Sequence, residues 1–299
     1  MNAREAGFLL LTCKLGNPDR NVLTHAQLRV LSQRMGAMAA PTEDRDLEIR
    51  DLTAIGYGAD MARRILGLLE EQELLDHYIA RGRKLGCVPL ARVCDNYPDV
   101  LRQRLGPEAP GCLWAKGDLS ILDMPKIALV GSRDINPDNK KFAGEVGRQA
   151  ALQGYCLVSG NARGADRTAQ NACLRHGGKV ISIVADSLGD KTLQERVLYL
   201  SEEDFDEEFS AQRALSRNRV IHALGEKTFV AQSNLRMGGT WDGTVKNLTN
   251  EWSDVFCFAD GSEAMAQLMQ MGANSVSMEQ LSNLSSLQGN QYSLFKAGR

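Results

Sequence analysis

The run Ile127-Ala128-Leu129-Val130, closed by Gly131-Ser132-Arg133, decides how this 299-residue chain is read. Four consecutive apolar residues ending at a glycine predict a short strand buried on both faces. A helical stretch follows from about Asn139 to Gln153 and is closed by Gly154. The pattern then repeats. A strand from Tyr155 to Ser159 ends at Gly160, and a helix from about Arg163 to Arg175 is closed by Gly177-Gly178. Further apolar runs lie at Val180–Ala185, Thr228–Ala231 and Val255–Phe258. Short apolar strands alternating with helices predict an α/β fold built on a parallel sheet covered on both sides.

Outward from this centre the texture changes. Residues 24–39 and 43–81 are rich in strong helix formers with intermittent apolar spacing, which predicts a helical N-terminal domain over 1–115 and an α/β domain over 116–272. Within the first, Leu52 to Gly58 leads into Met61-Ala62-Arg63-Arg64-Ile65-Leu66. A glycine turn of this kind can offer backbone N–H groups to a phosphate, and a plain helix connection has the same signature. From Asn274 to Gln291 the chain is dominated by Ser, Asn and Gln. So polar a segment buries too little to offset its ordering entropy, so a flexible tail over 273–299 is expected.

Composition narrows the function. The chain is 43% hydrophobic and 24% charged, ordinary for a globular protein, and its net charge of −2 argues against indiscriminate binding to nucleic acid. Any phosphate contact must come from a local patch. The acidic cluster from Glu202 to Glu208 reads as a solvated loop that would repel a nearby polyanion. The seven cysteines form no C-x-x-C pair and read as buried free thiols, and the four histidines are isolated, so no metal or cofactor is expected. No apolar run is long enough to span a membrane or to form a leader's core, which predicts a cytoplasmic protein.

Three loops at the carboxyl edge of the predicted sheet hold the residues suited to an anion. They are Gly131-Ser132-Arg133, then Ser159-Gly160-Asn161-Ala162-Arg163-Gly164-Ala165-Asp166, then Met237-Gly238-Gly239-Thr240-Trp241-Asp242-Gly243-Thr244. Ligands of open parallel sheets bind at that edge. Glycines admit close backbone approach, hydroxyls and helix N-terminal N–H groups donate, and Arg133 and Arg163 supply charge in a planar fork. A fourth element, Arg217-Asn218-Arg219, precedes an apolar helix-like run. Neither G-x-x-x-x-G-K-[ST] nor G-x-G-x-x-G occurs, so this is neither a P-loop nor an NAD site.

Together these residues resemble the DNA-processing protein A family (DprA, also called Smf). That family carries G-S-R after the first strand, S-G-x-A-x-G-x-D after the second, and a later R-N-R, matched here by Gly131 to Arg133, Ser159 to Asp166 and Arg217 to Arg219. Tyr97-Pro98 with Leu101, and Lys116-Gly117-Asp118, resemble the family's approach to that domain, so the likeness runs over roughly residues 90–260. It implies an extended Rossmann-like domain binding single-stranded DNA in a basic pocket, a homodimer, and delivery of the strand to the recombinase RecA. Three departures stand out. Gln170 follows Ala169 where the family has histidine, Trp241 and Asp242 replace small residues, and Ala259-Asp260 replaces Pro-Gly.

Near the C-terminus, Gln291-Tyr292-Ser293-Leu294-Phe295 resembles the peptide by which bacterial proteins bind the sliding clamp. Gln291 and Ser293 would meet polar contacts, and Leu294 and Phe295 an apolar pocket. Three readings follow: a single-strand DNA-handling module, a sensor of a small phosphorylated nucleotide, and a nucleotide hydrolase. The last is disfavoured, because no nucleophile–base pair emerges and Gly238-Gly239-Thr240 lacks the proline and nearby glutamate of such enzymes. In either binding reading Trp241 is a candidate to stack on a base.

Overall fold

The computed structural model describes residues 1–37 and 46–289; the clamp-like segment Gln291–Phe295 lies outside them. In chain order the elements are α1 (Ala3–Thr12), α2 (His25–Gly36), α3 (Ile49–Ala54), α4 (Ala59–Leu69), α5 (Gln72–Lys84), β1 (Cys87–Ala91), α6 (Asp99–Leu105) and β2 (Cys112–Lys116). Then come β3 (Lys126–Val130), α7 (Pro137–Leu152), β4 (Cys156–Ser159), α8 (Ala165–Arg175), β5 (Val180–Ile183), β6 (Val197–Ser201), α9 (Ala211–Ser216) and α10 (Asn218–Leu224). The last are β7 (Lys227–Val230), α11 (Gly238–Asn250), β8 (Asp254–Phe258), α12 (Glu263–Gln270) and β9 (Asn274–Val276).

The strands form one sheet in the order β1-β2-β6-β5-β4-β3-β7-β8-β9. From β6 to β9 every neighbouring pair is parallel, whereas β1 and β2 join the β6 side antiparallel. Strand order reverses at β3, whose neighbours are β4 on one side and β7 on the other. A reversal opens a crevice beyond the strand ends, where open α/β sheets bind ligands.

Alternation along each strand divides the core. Ile127 and Leu129 face one layer with α7, α8, α1 and α5, and Ala128 and Val130 face the other with α6, α10, α11 and α12. The N-terminal helices add a small core of their own around Leu23, Leu28, Leu31, Leu52, Ile65 and Leu68. On α7, Gly147 lies so close to α8 that a Cβ there would sit 2.0 Å from the Ala169 carbonyl oxygen. No helix of the described residues is long and apolar enough to cross a membrane. The seven cysteines are free thiols, all buried except the half-buried Cys94.

Three expectations change. The sheet reaches back across residue 115, so β2 straddles the expected domain boundary and β1 lies wholly before it. Residues 274–289 are packed: β9 pairs with β8, and a 3₁₀ segment at Glu279–Ser286 buries Leu281 and Leu284. Gln153 at the end of α7 holds that segment, donating to the Leu281 carbonyl (2.8 Å) and accepting from the Leu284 N–H (2.7 Å). Composition hid two leucines one 3₁₀ turn apart. Nor is the Glu202–Glu208 cluster a solvated loop: Glu202 pairs with Arg219 at 2.9 Å, Glu203 with Arg213 at 3.0 Å, and Asp204 is only 4% exposed.

Candidate nucleic-acid interface

The crevice is built by three close approaches that only glycine permits. A Cβ on Gly131 would lie 2.5 Å from the Ala165 Cβ, so β3 can pass beneath the start of α8 only without a side chain. Gly164 has φ of +84° and packs on the first loop, its Cβ position 2.3 Å from the Arg133 carbonyl oxygen. Gly160 lies against the Arg217 guanidinium, where a Cβ would fall 1.8 Å from Nη1. The two loops and the arginine therefore form one packed unit.

Asp166 organises that unit. Its carboxylate accepts the backbone N–H groups of Gly160 (3.0 Å) and Ala162 (3.2 Å), holding the second loop open toward the crevice. Burial pushes its pKa up to about 6, while Arg217, the two N–H groups and Arg133 pull the other way. Arg217 is 6% exposed and donates Nη1 to the Ile183 carbonyl, and its Nε has no hydrogen-bond partner among the described residues. Burial lowers its pKa, yet a guanidinium stays charged, so a buried cation lines the crevice wall.

The third wall comes from beyond β7. The segment read as a loop is the first turns of α11, whose N-terminal residues Gly238, Gly239 and Thr240 leave backbone N–H groups without intrahelical partners. Asn218 donates to the Gly239 carbonyl at 2.9 Å and ties α10 to this helix start. The resulting cavity, about 440 Å³, is lined by Gly131, Ser132, Arg133, Ala162, Asp166, Arg217, Asn218, Gly238, Gly239 and Thr240, with an apolar side from Val130, Ala214, Leu215, Ile221 and Met237. Met237, 67% exposed, and Leu215 stand at its mouth. Val130 and Met237 stood in stretches the sequence singled out, but no sequence pattern joined them to Ala214, Leu215 and Ile221, because the five come from separate elements.

Other expected site residues lie elsewhere. Ser159 is fully buried and accepts from Gln170 Nε2 at 2.7 Å, so it braces the loop rather than facing a ligand. Gln170, which stands at the family's histidine position, does this bracing. Gly160 and Asn161, the latter left-handed at φ 58°, shape the loop from behind. Arg163 and Gly164 line a second, shallower groove that shares Arg133 with the cavity. Arg219 is turned away: two residues of helix rotate it by ~200° from Arg217, into the pair with Glu202. Trp241 is not a stacking platform, being 7% exposed within the core, and Asp242 is exposed. His222 is fully buried, its pKa pushed down to about 3 by burial, with Nδ1 3.0 Å from Asn247 Nδ2.

A doubly covered parallel sheet with a glycine-walled cavity at its reversal point, lined by Arg133 and Arg217 beside Asp134 and Asp166, defines a Rossmann-like protein. Residues 90–286 match the model of the DNA recombination-mediator protein A family, and the chain belongs to that family. It is 33% identical over 188 residues to the DNA processing protein DprA of Streptococcus pneumoniae, a match covering 58% of this chain. That match spans 66% of the relative, just under two thirds of its length. The X-ray structure of DprA from Streptococcus pneumoniae superimposes with a TM-score of 0.70 at 26% identity, covering 94% of this chain and 96% of that one. A DprA structure from Helicobacter pylori, described in terms of a single-stranded DNA binding mode, shares the fold at TM-score 0.56 and 24% identity, over 66% of this chain and 94% of that one.

Proposed function

We propose that the sheet-edge cavity binds single-stranded DNA and that the protein acts by binding rather than by catalysis, in DNA recombination, uptake or processing in the cytoplasm. The observation that carries this reading is the convergence of Arg133, the buried Arg217 cation and the α11 N-terminus on one cavity with an apolar wall. Cations and backbone N–H groups suit a phosphate, and an apolar shelf suits the face of a base. The single-strand binding described for the Helicobacter pylori protein supports the same assignment. On this reading a homodimer would hand its strand to RecA, and Gln291-Tyr292-Ser293-Leu294-Phe295 would tether the chain to the sliding clamp.

The test is fluorescence anisotropy of a labelled single strand at two salt concentrations. Wild type binds more weakly as salt rises. Arg133→Ala, an exposed change, loses about tenfold in affinity and flattens the log–log salt slope by ~0.7. A folded protein that ignores the strand at low salt would sink the proposal. One observation favours a second reading, a small phosphorylated nucleotide as ligand: about 440 Å³ falls within the usual range of small-molecule sites. Saturable mononucleotide binding without affinity for strands would select it.

A further inference from the structure

The cavity does not end at Arg133. Arg133 and Asp134 also line a groove of about 700 Å³ on the outer surface of α7 and α8, formed with Lys140, Arg163, Arg167 and Arg175. Arg163 pairs with the exposed Asp134 at 2.8 Å. Arg133, Lys140, Arg167 and Arg175 are exposed and make no salt bridge among the described residues, in a chain whose net charge is −2. Elsewhere on α7 the basic residues are paired, Lys141 with Asp138 and Arg148 with Glu145.

The groove follows from two features of sequence. On α8, Arg167, Asn171 and Arg175 recur every four residues, so the helix carries these donors as a single stripe spanning ~12 Å, with Arg163 just before its N-cap. On α7, Gly147 and Gly144 let the helix press against α8, Gly144 facing the Thr168 methyl at 3.7 Å from its Cβ position. Close packing brings Lys140 into the same groove as that stripe.

We propose that this groove is the path of the DNA strand as it leaves the cavity: one nucleotide is held inside, and the following phosphates run along Lys140, Arg167 and Arg175. The inference rests on the single-strand reading of the cavity. Apart from Ile135 the groove is lined by polar and charged side chains and by Gly164, so it recognises backbone charge and not base identity. Arg133, shared by both, is the hinge between the nucleotide in the cavity and the strand outside.

The test compares a labelled trinucleotide with a strand of about 20 nucleotides, using wild type and Lys140→Ala/Arg167→Ala/Arg175→Ala, with melting temperature as the control for folding. The expected result is that wild type binds the longer strand at least tenfold more tightly, and that the triple variant loses this advantage while binding the trinucleotide as before. Its salt slope on the longer strand flattens by roughly 2, three cations at ~0.7 each. A triple variant with full affinity and slope on the longer strand overturns the groove and leaves the cavity reading intact. Wild type binding neither ligand overturns both. Displacement of the longer strand by a polyglutamate peptide of equal charge, with the trinucleotide undisturbed, would assign the groove to an acidic protein and overturn the proposal.

Discussion

Two regions of this molecule bury arginine near carboxylate, and they differ in what is left over. At the seam between the N-terminal helices and the sheet, the charges are matched. Arg219 meets Glu202, Arg213 meets Glu203 and Arg81 meets Asp206, to which the Tyr78 hydroxyl also donates. Tyr78 stacks on Phe205 with ring centres 4.4 Å apart, and Trp114 meets both edge-on. At the sheet-edge cavity, Asp166 Oδ2 accepts two backbone N–H groups, no salt bridge to Arg217 forms among the described residues, and the buried Arg217 lines the same wall as the exposed Arg133. Arg217 and Arg219 are two residues apart, and the direction each faces decides whether it serves stability or recognition.

The comparison breaks most sharply at Arg217. Arg217→Ala removes a buried cation and leaves Asp166 without its offsetting charge, so unfolding in denaturant should show a loss of roughly 3 kcal/mol. Strand binding should disappear with it. A stable variant with normal affinity would mean that Arg217 contributes to neither.

Arg219→Ala should also cost stability, by about 2–3 kcal/mol, because Glu202 is left buried at 6% side-chain exposure. Here strand affinity should stay at the wild-type level. Replacing Arg219 and Glu202 together by methionine should recover most of the stability, since an apolar pair carries no desolvation penalty. Reduced strand affinity in the refolded double variant would show that Arg219 reaches the ligand after all.

The smallest effect concerns pH. Asp166 titrates at about 6 in the folded protein against an ordinary value of 3.8, so between these values the native state holds more protons than the unfolded state. Its contribution therefore falls as pH rises through that window and is level above it. Asp166→Asn keeps an acceptor for Gly160 and Ala162 and removes the titration. A plot of stability against pH should accordingly be steeper downward, from pH 4 to 6, in wild type than in the variant, by about 1–2 kcal/mol in total. Parallel curves would show that Asp166 titrates normally.

Much of the α/β core was legible because its signals are local. Ile127–Val130, Cys156–Ser159 and Val180–Ile183 are apolar runs between helices, and each became a parallel strand. The strands that were not read are β1, β2, β6 and β9. β1 even contains Pro89, which is tolerated because β1 is an edge strand. β9 is three residues in a polar stretch, held by backbone hydrogen bonds to β8. The site divides in the same way. Gly131, Gly160 and Gly164 stood out as glycines, but the atoms that require them, on Ala165, Arg217 and Arg133, are supplied by the fold.

By itself the sequence determined the five central strands of the sheet, its glycine-rich edge and the family motifs, because period, turn residues and spacing act over a few neighbours. Tertiary structure alone decided which charged groups remain available. Burial and partner geometry drew Arg219 to Glu202 and Ser159 to Gln170, turned Trp241 into the core, and joined Lys140 to the arginine stripe of α8. A residue's type sets what it can donate, and only the three-dimensional surroundings set whether that donor has already been satisfied.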